Sequence, residues 1–197
     1  MRIVVVGVGA LGSHVVQLGR SLPVQWKVID FDRIEAKNLL AQFHTRMGVG
    51  KNKAQALQQL MQGLFGVKID AVPHRLTADN TEALLGDAEL VVDCLDNAEA
   101  RTLVQQFVRE RDIACVHGAL APNGELGRVV WDHLFVIDGE ATPGQETCEG
   151  GEHLAFIAQT AATLAQAIAL YVGDRRQVST QLMPSRSMVL DTREPDS

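Results

Sequence analysis

Val4-Val5-Val6-Gly7-Val8-Gly9-Ala10-Leu11-Gly12 is the stretch whose reading decides the fold. A run of β-branched residues ends in G-x-G-x-x-G and passes into a helical pattern, which presents free backbone N–H groups, at the positive end of a helix dipole, to a phosphate. Each glycine has its own task. Gly7 permits a tight turn, Gly9 lets the backbone approach a phosphate because no Cβ intervenes, and Gly12 allows helix and strand to touch. The same turn also serves as a plain strand-to-helix connection, so the residues downstream must choose between the two.

Trp26 to Ile29 reads as a second strand, and it ends in Asp30, about 18 residues after Gly12, close to the interval expected of an acid that accepts hydrogen bonds from ribose hydroxyls. Strand, turn, helix and acid together favour a nucleotide site.

Composition sets the frame. The 197 residues are 46% apolar, enough to bury a sizeable core as one domain. A net charge of −6, with no basic tract, argues against nonspecific nucleic-acid or membrane-surface binding. The dense apolar stretches carry polar breaks and read as shorter than the roughly 20 residues that span a bilayer, and the sequence opens directly on a strand; cytoplasmic residence is the default expectation. Cys94, Cys115 and Cys148 form no C-x-x-C pair, so neither a disulfide framework nor a zinc clamp is indicated.

Apolar runs and helical patterns alternate along the chain. Strands are expected at Ile3 to Val6, Lys27 to Ile29, Val67 to Val72, Leu90 to Cys94 and Ile113 to His117, with helices from Leu11, over Lys51 to Leu64, Asn80 to Leu85 and Ala98 to Arg111. That rhythm predicts a doubly wound, Rossmann-like α/β fold with a mostly parallel sheet. After the turn signal Pro122-Asn123-Gly124, Leu126 to Trp131 and Leu134 to Ile137 read as a hairpin, a small antiparallel extension near the C-terminus. Asp138 to Gly151 reads as a surface loop, His153 to Val172 as a long Ala-rich helix, and Ser187 to Leu190 as one strand in an otherwise polar tail.

Two further segments carry chemistry. In Asn38-Leu39-Leu40-Ala41-Gln42 and Gly48-Val49-Gly50-Lys51-Asn52-Lys53-Ala54, Lys53 opens a predicted helix, where the local dipole disfavours a lysine and its presence invites an anion. Simple solvation of a helix start by Lys51 and Lys53 fits equally well. Gly50-Lys51 is no P-loop, because Asn52 stands where Ser or Thr would hold magnesium. In Val91-Val92-Asp93-Cys94-Leu95-Asp96-Asn97-Ala98-Glu99-Ala100-Arg101, Asp96 falls just past the C-terminal end of a buried strand, the edge where open α/β sheets bind ligands, and is a candidate magnesium ligand. Capping of the following helix by Asn97, with Asp96 sharing that duty, is the alternative.

Together these segments resemble the ThiF/MoeB/HesA family of adenylating enzymes, whose larger relatives are the ubiquitin-activating enzymes. The family shows G-x-G-x-x-G, an Asp-x-Asp strand end, Asn-Leu-x-x-Gln, a Gly-x-x-Lys-Ala helix start and Asp-x-x-Asp-Asn-x-x-x-Arg, and this chain has each in order from Met1 to about Gly118. Thr147-Cys148-Glu149 before the Ala-rich helix is similar more loosely. The resemblance implies one ThiF-type nucleotide-binding domain over 1–197, with ATP and Mg2+, that activates the C-terminal carboxylate of a small ubiquitin-like or sulphur-carrier protein as an acyl-adenylate, and that pairs as a homodimer. It implies that Gly7, Gly9 and Gly12 form the nucleotide turn and Asp30 holds ribose. Asn38, Gln42 and Lys53 face the phosphates, Asp96 positions the metal, and Asp32 and Asn97 assist; Arg101 is expected to buttress the sheet edge through a carboxylate such as Asp93.

Two departures stand out. The family usually places Arg where this chain has Ala41, and a helix carrying another Arg ahead of the first strand. Loss of one transition-state cation costs on the order of 10³-fold in phosphoryl-type transfer, so Arg33, Arg46 or a partner's arginine would have to substitute. Cys148 is a candidate thioester or acyl-disulfide site by resemblance, although Glu146 and Glu149 beside it disfavour a thiolate. Cys94 and Cys115 read as buried packing, and His117 and His153 as structural, with no paired carboxylate at recognisable spacing. An NAD-dependent oxidoreductase would use the same turn and Asp30 but gives the Asn38 to Lys53 and Asp96-Asn97 segments no role; a noncatalytic nucleotide- or carrier-binding member of the family accommodates Ala41.

Overall fold

The computed structural model describes residues 1–121, 123–137, 151–184 and 186–193. Its sheet is built in the order β3-β2-β1-β4-β5-β6-β7-β8. The first five strands, β1 (Arg2–Val6), β2 (Gln25–Ile29), β3 (Ile69–Val72), β4 (Leu90–Asp93) and β5 (Ala114–Leu120), run parallel, and β6 (Gly127–Trp131), β7 (Gln177–Met183) and β8 (Arg186–Arg193) continue the sheet antiparallel. The helices are α1 (Ala10–Leu18), α2 (Lys53–Phe65), α3 (Thr81–Leu85), α4 (Ala98–Glu110) and α5 (Leu154–Asp174).

Both faces of the parallel half are covered, which is why its strands are apolar throughout rather than alternating. Along β1, Ile3 and Val5 join the core that contains Val15 of α1, Leu57 of α2 and Leu164 of α5, while Val4 and Val6 join the opposite core with Val104 and Phe107 of α4. By length and composition α5, at 21 residues, is apolar enough to cross a membrane, which corrects the expectation that no stretch reaches that length. In this fold it packs along α1 and the sheet, with Phe156, Ile157, Leu164 and Ile168 buried.

The parallel elements arise where the sequence pattern put them, within two or three residues. The C-terminal third differs. Leu134 to Ile137 is not a strand: Asp132–Leu134 forms a 3-10 turn and the chain continues extended beyond it. The partner of β6 is β7, in which Ser179, Thr180 and Leu182 are buried, and β7 pairs in turn with β8. The tail therefore supplies two strands where one was expected.

Candidate functional site

Strand order reverses between β1 and β4, whose neighbours lead in opposite directions across the sheet. The carboxyl ends of strands at such a switch point splay apart and leave a crevice. A cleft of about 850 Å³ opens there, lined by residues of the glycine turn, by Asp30, Asp32, Asn38, Gln42 and Lys53, and by Leu95 to Arg101.

The glycine turn forms its floor. Gly7 has φ +86°, in the left-handed region, and a Cβ there would stand 2.8 Å from the Cys94 carbonyl oxygen. Gly12 is closed in further: its Cβ would lie 2.0 Å from the Gly7 carbonyl oxygen. It does not line the cleft; it is the point of contact between α1 and β1. At Gly9 a Cβ would meet only the Gln42 amide, at 3.7 Å, so this backbone faces open space toward the cleft. Ser13 ties the turn to the next segment, donating to the Gly9 carbonyl at 2.6 Å and accepting from the Phe43 N–H at 2.9 Å.

Asp30 follows β2 directly. Its carboxylate accepts the Val8 N–H at 2.8 Å and the Asp32 N–H at 2.9 Å, which locks the acid to the glycine turn. Burial pushes its pKa up; the Lys53 ammonium and the two N–H groups oppose that. Lys53 is buried at the first position of α2, its ammonium 3.2 Å from Asp32 and on the cleft wall. The anion anticipated for this lysine is thus, within the protein, Asp32. Asn52 caps α2 through the Gln55 N–H at 3.1 Å and donates to the carbonyls of Asp30 and Asp32, so the residue that rules out a P-loop stitches β2 to α2.

Asn38 lies in a 3-10 turn, Ala36–Leu40, where its side-chain oxygen accepts the Glu35 N–H at 2.8 Å. Gln42 Oε1 is buried with no partner among the described residues, although the residue borders the cleft beside Gly9. A buried carbonyl oxygen of this kind normally has a donor. Ala41 is 1% exposed and its carbonyl accepts from His14, so its side chain belongs to the core rather than to the cleft. Of the two arginines considered as substitutes, Arg33 lines the cleft and donates to the Gly50 carbonyl at 2.7 Å, whereas Arg46 does not line it.

The opposite wall starts after β4. Asp96 is exposed on the cleft, and Asn97 caps α4 by accepting the Ala100 N–H at 2.8 Å. Arg101 grips this loop, donating to the Leu95 carbonyl and, at 2.9 Å, to the Gly118 carbonyl, with Asp93 at 3.7 Å; the expected buttress is present. Among the described residues no three His, Cys, Asp or Glu side chains stand close enough to hold a metal by themselves. An exposed carboxylate on the cleft, such as Asp96, still suits magnesium, which takes one or two carboxylates and completes its shell with phosphate oxygens and water. Cys148 lies outside the described residues.

Several cleft residues had no signal in the sequence. Phe31 stacks under the Arg75 guanidinium, 3.9 Å from its ring centroid, on the rim next to Asp30. Arg128 of β6 and Phe135, Val136 and Ile137 beyond the 3-10 turn line the far end. Cys94 was expected in the core; its thiol is buried and held well above the usual thiol range, yet the residue borders the cleft. The reading of His117 as lacking a paired carboxylate is overturned: Asp93 lies 2.7 Å from Nδ1 and Asp132 3.1 Å from Nε2.

Taken together, a glycine turn, a ribose-spaced acid, a helix-start lysine and an exposed carboxylate share one switch-point cleft, the architecture of a doubly wound ligand-binding domain. Residues 1–173 match the sequence profile of the ThiF family, and the chain belongs to that family. It is 35% identical over 144 residues to a sulfur carrier protein adenylyltransferase of Thermus thermophilus, covering 72% of this chain and 52% of that protein. It is 34% identical over 122 residues to a SAMP-activating enzyme E1 of Haloferax volcanii, covering 60% of this chain and 45% of that one. The chain thus spans about half the length of these curated relatives. The crystal structure of E. coli MccB with ATP superposes with a TM-score of 0.73 at 14% identity, covering 98% of this chain and 63% of that one, a likeness of fold.

Proposed function

We propose that this chain binds ATP with Mg2+ in the switch-point cleft and adenylates the C-terminal carboxylate of a small ubiquitin-like or sulphur-carrier protein. The observation that carries the reading is the convergence of Gly9, Asp30, Lys53 and Asp96 on one cleft. The names of the relatives from Thermus and Haloferax support it.

A carboxylate is already nucleophilic, so the chemistry needs charge neutralisation and alignment more than a general base. One carboxylate oxygen of the carrier attacks the α-phosphorus, the bond from that phosphorus to the bridging oxygen breaks, and pyrophosphate leaves with the electron pair. In this reading the glycine turn lets the phosphates approach backbone N–H groups, and Asp30 accepts from ribose hydroxyls. Lys53 turns from Asp32 toward the phosphates, and the Gln42 oxygen finds its donor on the bound molecules. Magnesium bound at Asp96 would neutralise phosphate charge. The reading extends to one ThiF-type domain, a homodimer and a cytoplasmic setting.

The burial of Ala41 where the family usually has Arg favours a second reading, a noncatalytic member that holds nucleotide or carrier. ATP–pyrophosphate exchange with candidate carrier proteins separates the two. Adenylation requires exchange by the wild type and its loss in Asp96→Ala and Lys53→Ala. Nucleotide binding without exchange establishes the noncatalytic reading, and preference for NAD over ATP overturns both.

A further inference from the structure

His117 stands where the two walls of the cleft meet the sheet. It is fully buried on β5, with Asp93 of β4 at one ring nitrogen and Asp132 of the 3-10 turn at the other. The Phe135 ring lies parallel on the imidazole, centroids 3.9 Å apart. The other titratable or charged groups of the cluster are Cys115 of β5, its Sγ 3.5 Å from Nε2, and two arginines of α4: Arg101 beside Asp93, and Arg109, which donates to Asp132 at 2.7 Å. Gln105 of α4 donates to Asp132 at 3.0 Å and to the Phe135 carbonyl at 3.1 Å.

A ring with a carboxylate at each nitrogen satisfies both only when both nitrogens carry protons; the neutral ring aims one lone pair at a carboxylate, away from water. Burial alone would push His117 down, yet Cys115 together with the hydrogen bonds to Asp132 and Asp93 holds it well above its ordinary range. Burial pushes the Cys115 thiol up, and His117 beside it opposes that.

We propose that His117, as an imidazolium bridging Asp93 and Asp132, is a positioning residue that fixes the Phe135–Ile137 wall of the cleft against the Leu95–Asp96 loop. On one side Asp93 accepts the Leu95 N–H at 2.9 Å, and Arg101 holds the Leu95 carbonyl, one residue from Asp96. On the other side Asp132 and Phe135 anchor the chain that runs on to Val136 and Ile137 at the cleft. One proton thereby joins the two walls. The role assigned to those walls rests on the nucleotide reading of the cleft, but the bridge itself does not.

Hydrogen exchange measured without nucleotide tests the bridge, read as protection factors over 132–137 in wild type, His117→Gln and Asp132→Asn. Loss of a charge-assisted hydrogen bond is expected to lower protection there by about tenfold in each variant, leaving β1 and α5 unchanged. A histidine whose folded pKa is raised keeps its bridge below the unfolded value and loses it as pH rises through the folded one. The wild type should therefore show the same local loss on alkaline titration, and Asp132→Asn a blunted one. Should His117→Gln fail to fold, Asp132→Asn and the wild-type titration decide alone. Unchanged, pH-independent protection over 132–137 overturns the bridge. Affinity for the ATP analogue AMPCPP is then compared. A fall of about tenfold in the loosened variants supports positioning, and an unchanged affinity in a loosened variant overturns it. A wild type that does not bind AMPCPP sinks the nucleotide reading, while the exchange data still judge the bridge.

Discussion

The Lys53 ammonium lies 3.2 Å from the Asp32 carboxylate, and the Lys53 N–H donates to the Asp32 carbonyl at 2.8 Å, so the first residue of α2 is fastened twice to the segment that follows β2. The ammonium is nearly buried whereas the carboxylate is half-exposed. Such a pair contributes at most about 1 kcal/mol to stability, but loss of a phosphate-facing cation costs on the order of 10³-fold in rate. Lys53→Ala should melt close to wild type and lose exchange activity by that order. A large fall in melting temperature with retained exchange would make the lysine a structural residue.

Replacing Ala41 with Arg tests whether the familial cation can be restored. Ala41 is buried in the core that also holds Val8 and Leu11. An added long side chain there overpacks the core by about 1–3 kcal/mol before the charge is counted. At about 2–4 °C for each kcal/mol in a chain of this size, Ala41→Arg is expected to lower the melting temperature by several degrees with no gain in exchange. Higher exchange at unchanged stability would mean that the side chain reaches the phosphates.

Two glycine substitutions should have opposite signs. The Cβ of Gly12→Ala meets the Gly7 carbonyl oxygen at 2.0 Å, so α1 or the turn must move. A destabilisation of about 1–3 kcal/mol is expected, together with weakened AMPCPP binding, because the displaced turn is the cleft floor. Gly63→Ala, inside α2 with nothing within 4 Å, should stabilise by about 0.5–1 kcal/mol and leave binding unchanged. Thermal melts with a binding titration check both.

Burial pushes the His44 pKa down to about 4. A histidine that is neutral when folded binds fewer protons than its unfolded counterpart between pH 6.5 and about 4, so stability falls as pH drops through that window. His44→Gln, with an amide placed to reach the Val8 carbonyl that His44 Nε2 now faces at 3.1 Å, should flatten this acid limb in denaturant titrations at pH 7, 6, 5 and about 4. An acid limb identical to wild type would assign the loss to other groups.

The parallel half of the fold was legible because its signals are local. Val4 to Val6 ends in glycines, Asp30 ends an apolar run, and Asn97 precedes an amphipathic helix, so each residue's place follows from its immediate neighbours. The misread parts depend on partners far along the chain. Leu134 to Ile137 is a continuous apolar run that reads like a strand, but β6 already pairs with β7, about 50 residues away, and Asp132, held by His117, Gln105 and Arg109, opens a 3-10 turn instead. β7 hides among Gln, Ser and Thr because Ser179 is buried accepting the Trp131 N–H. His117 read as a structural residue without a paired carboxylate because its two carboxylates are 24 and 15 residues distant. Ala41 read as a missing cation; only packing revealed it as a core methyl.

The turnabout in strand direction after β5 divides responsibility within the molecule. One end of the cleft is assembled from strand termini and a glycine turn so closely packed that a single added methyl at Gly7 would collide with main chain. The other end hangs from β6 and a hairpin whose outer strand exposes Met188, Val189 and Leu190. Substitutions are therefore expected to be borne more readily at the second end than at the first.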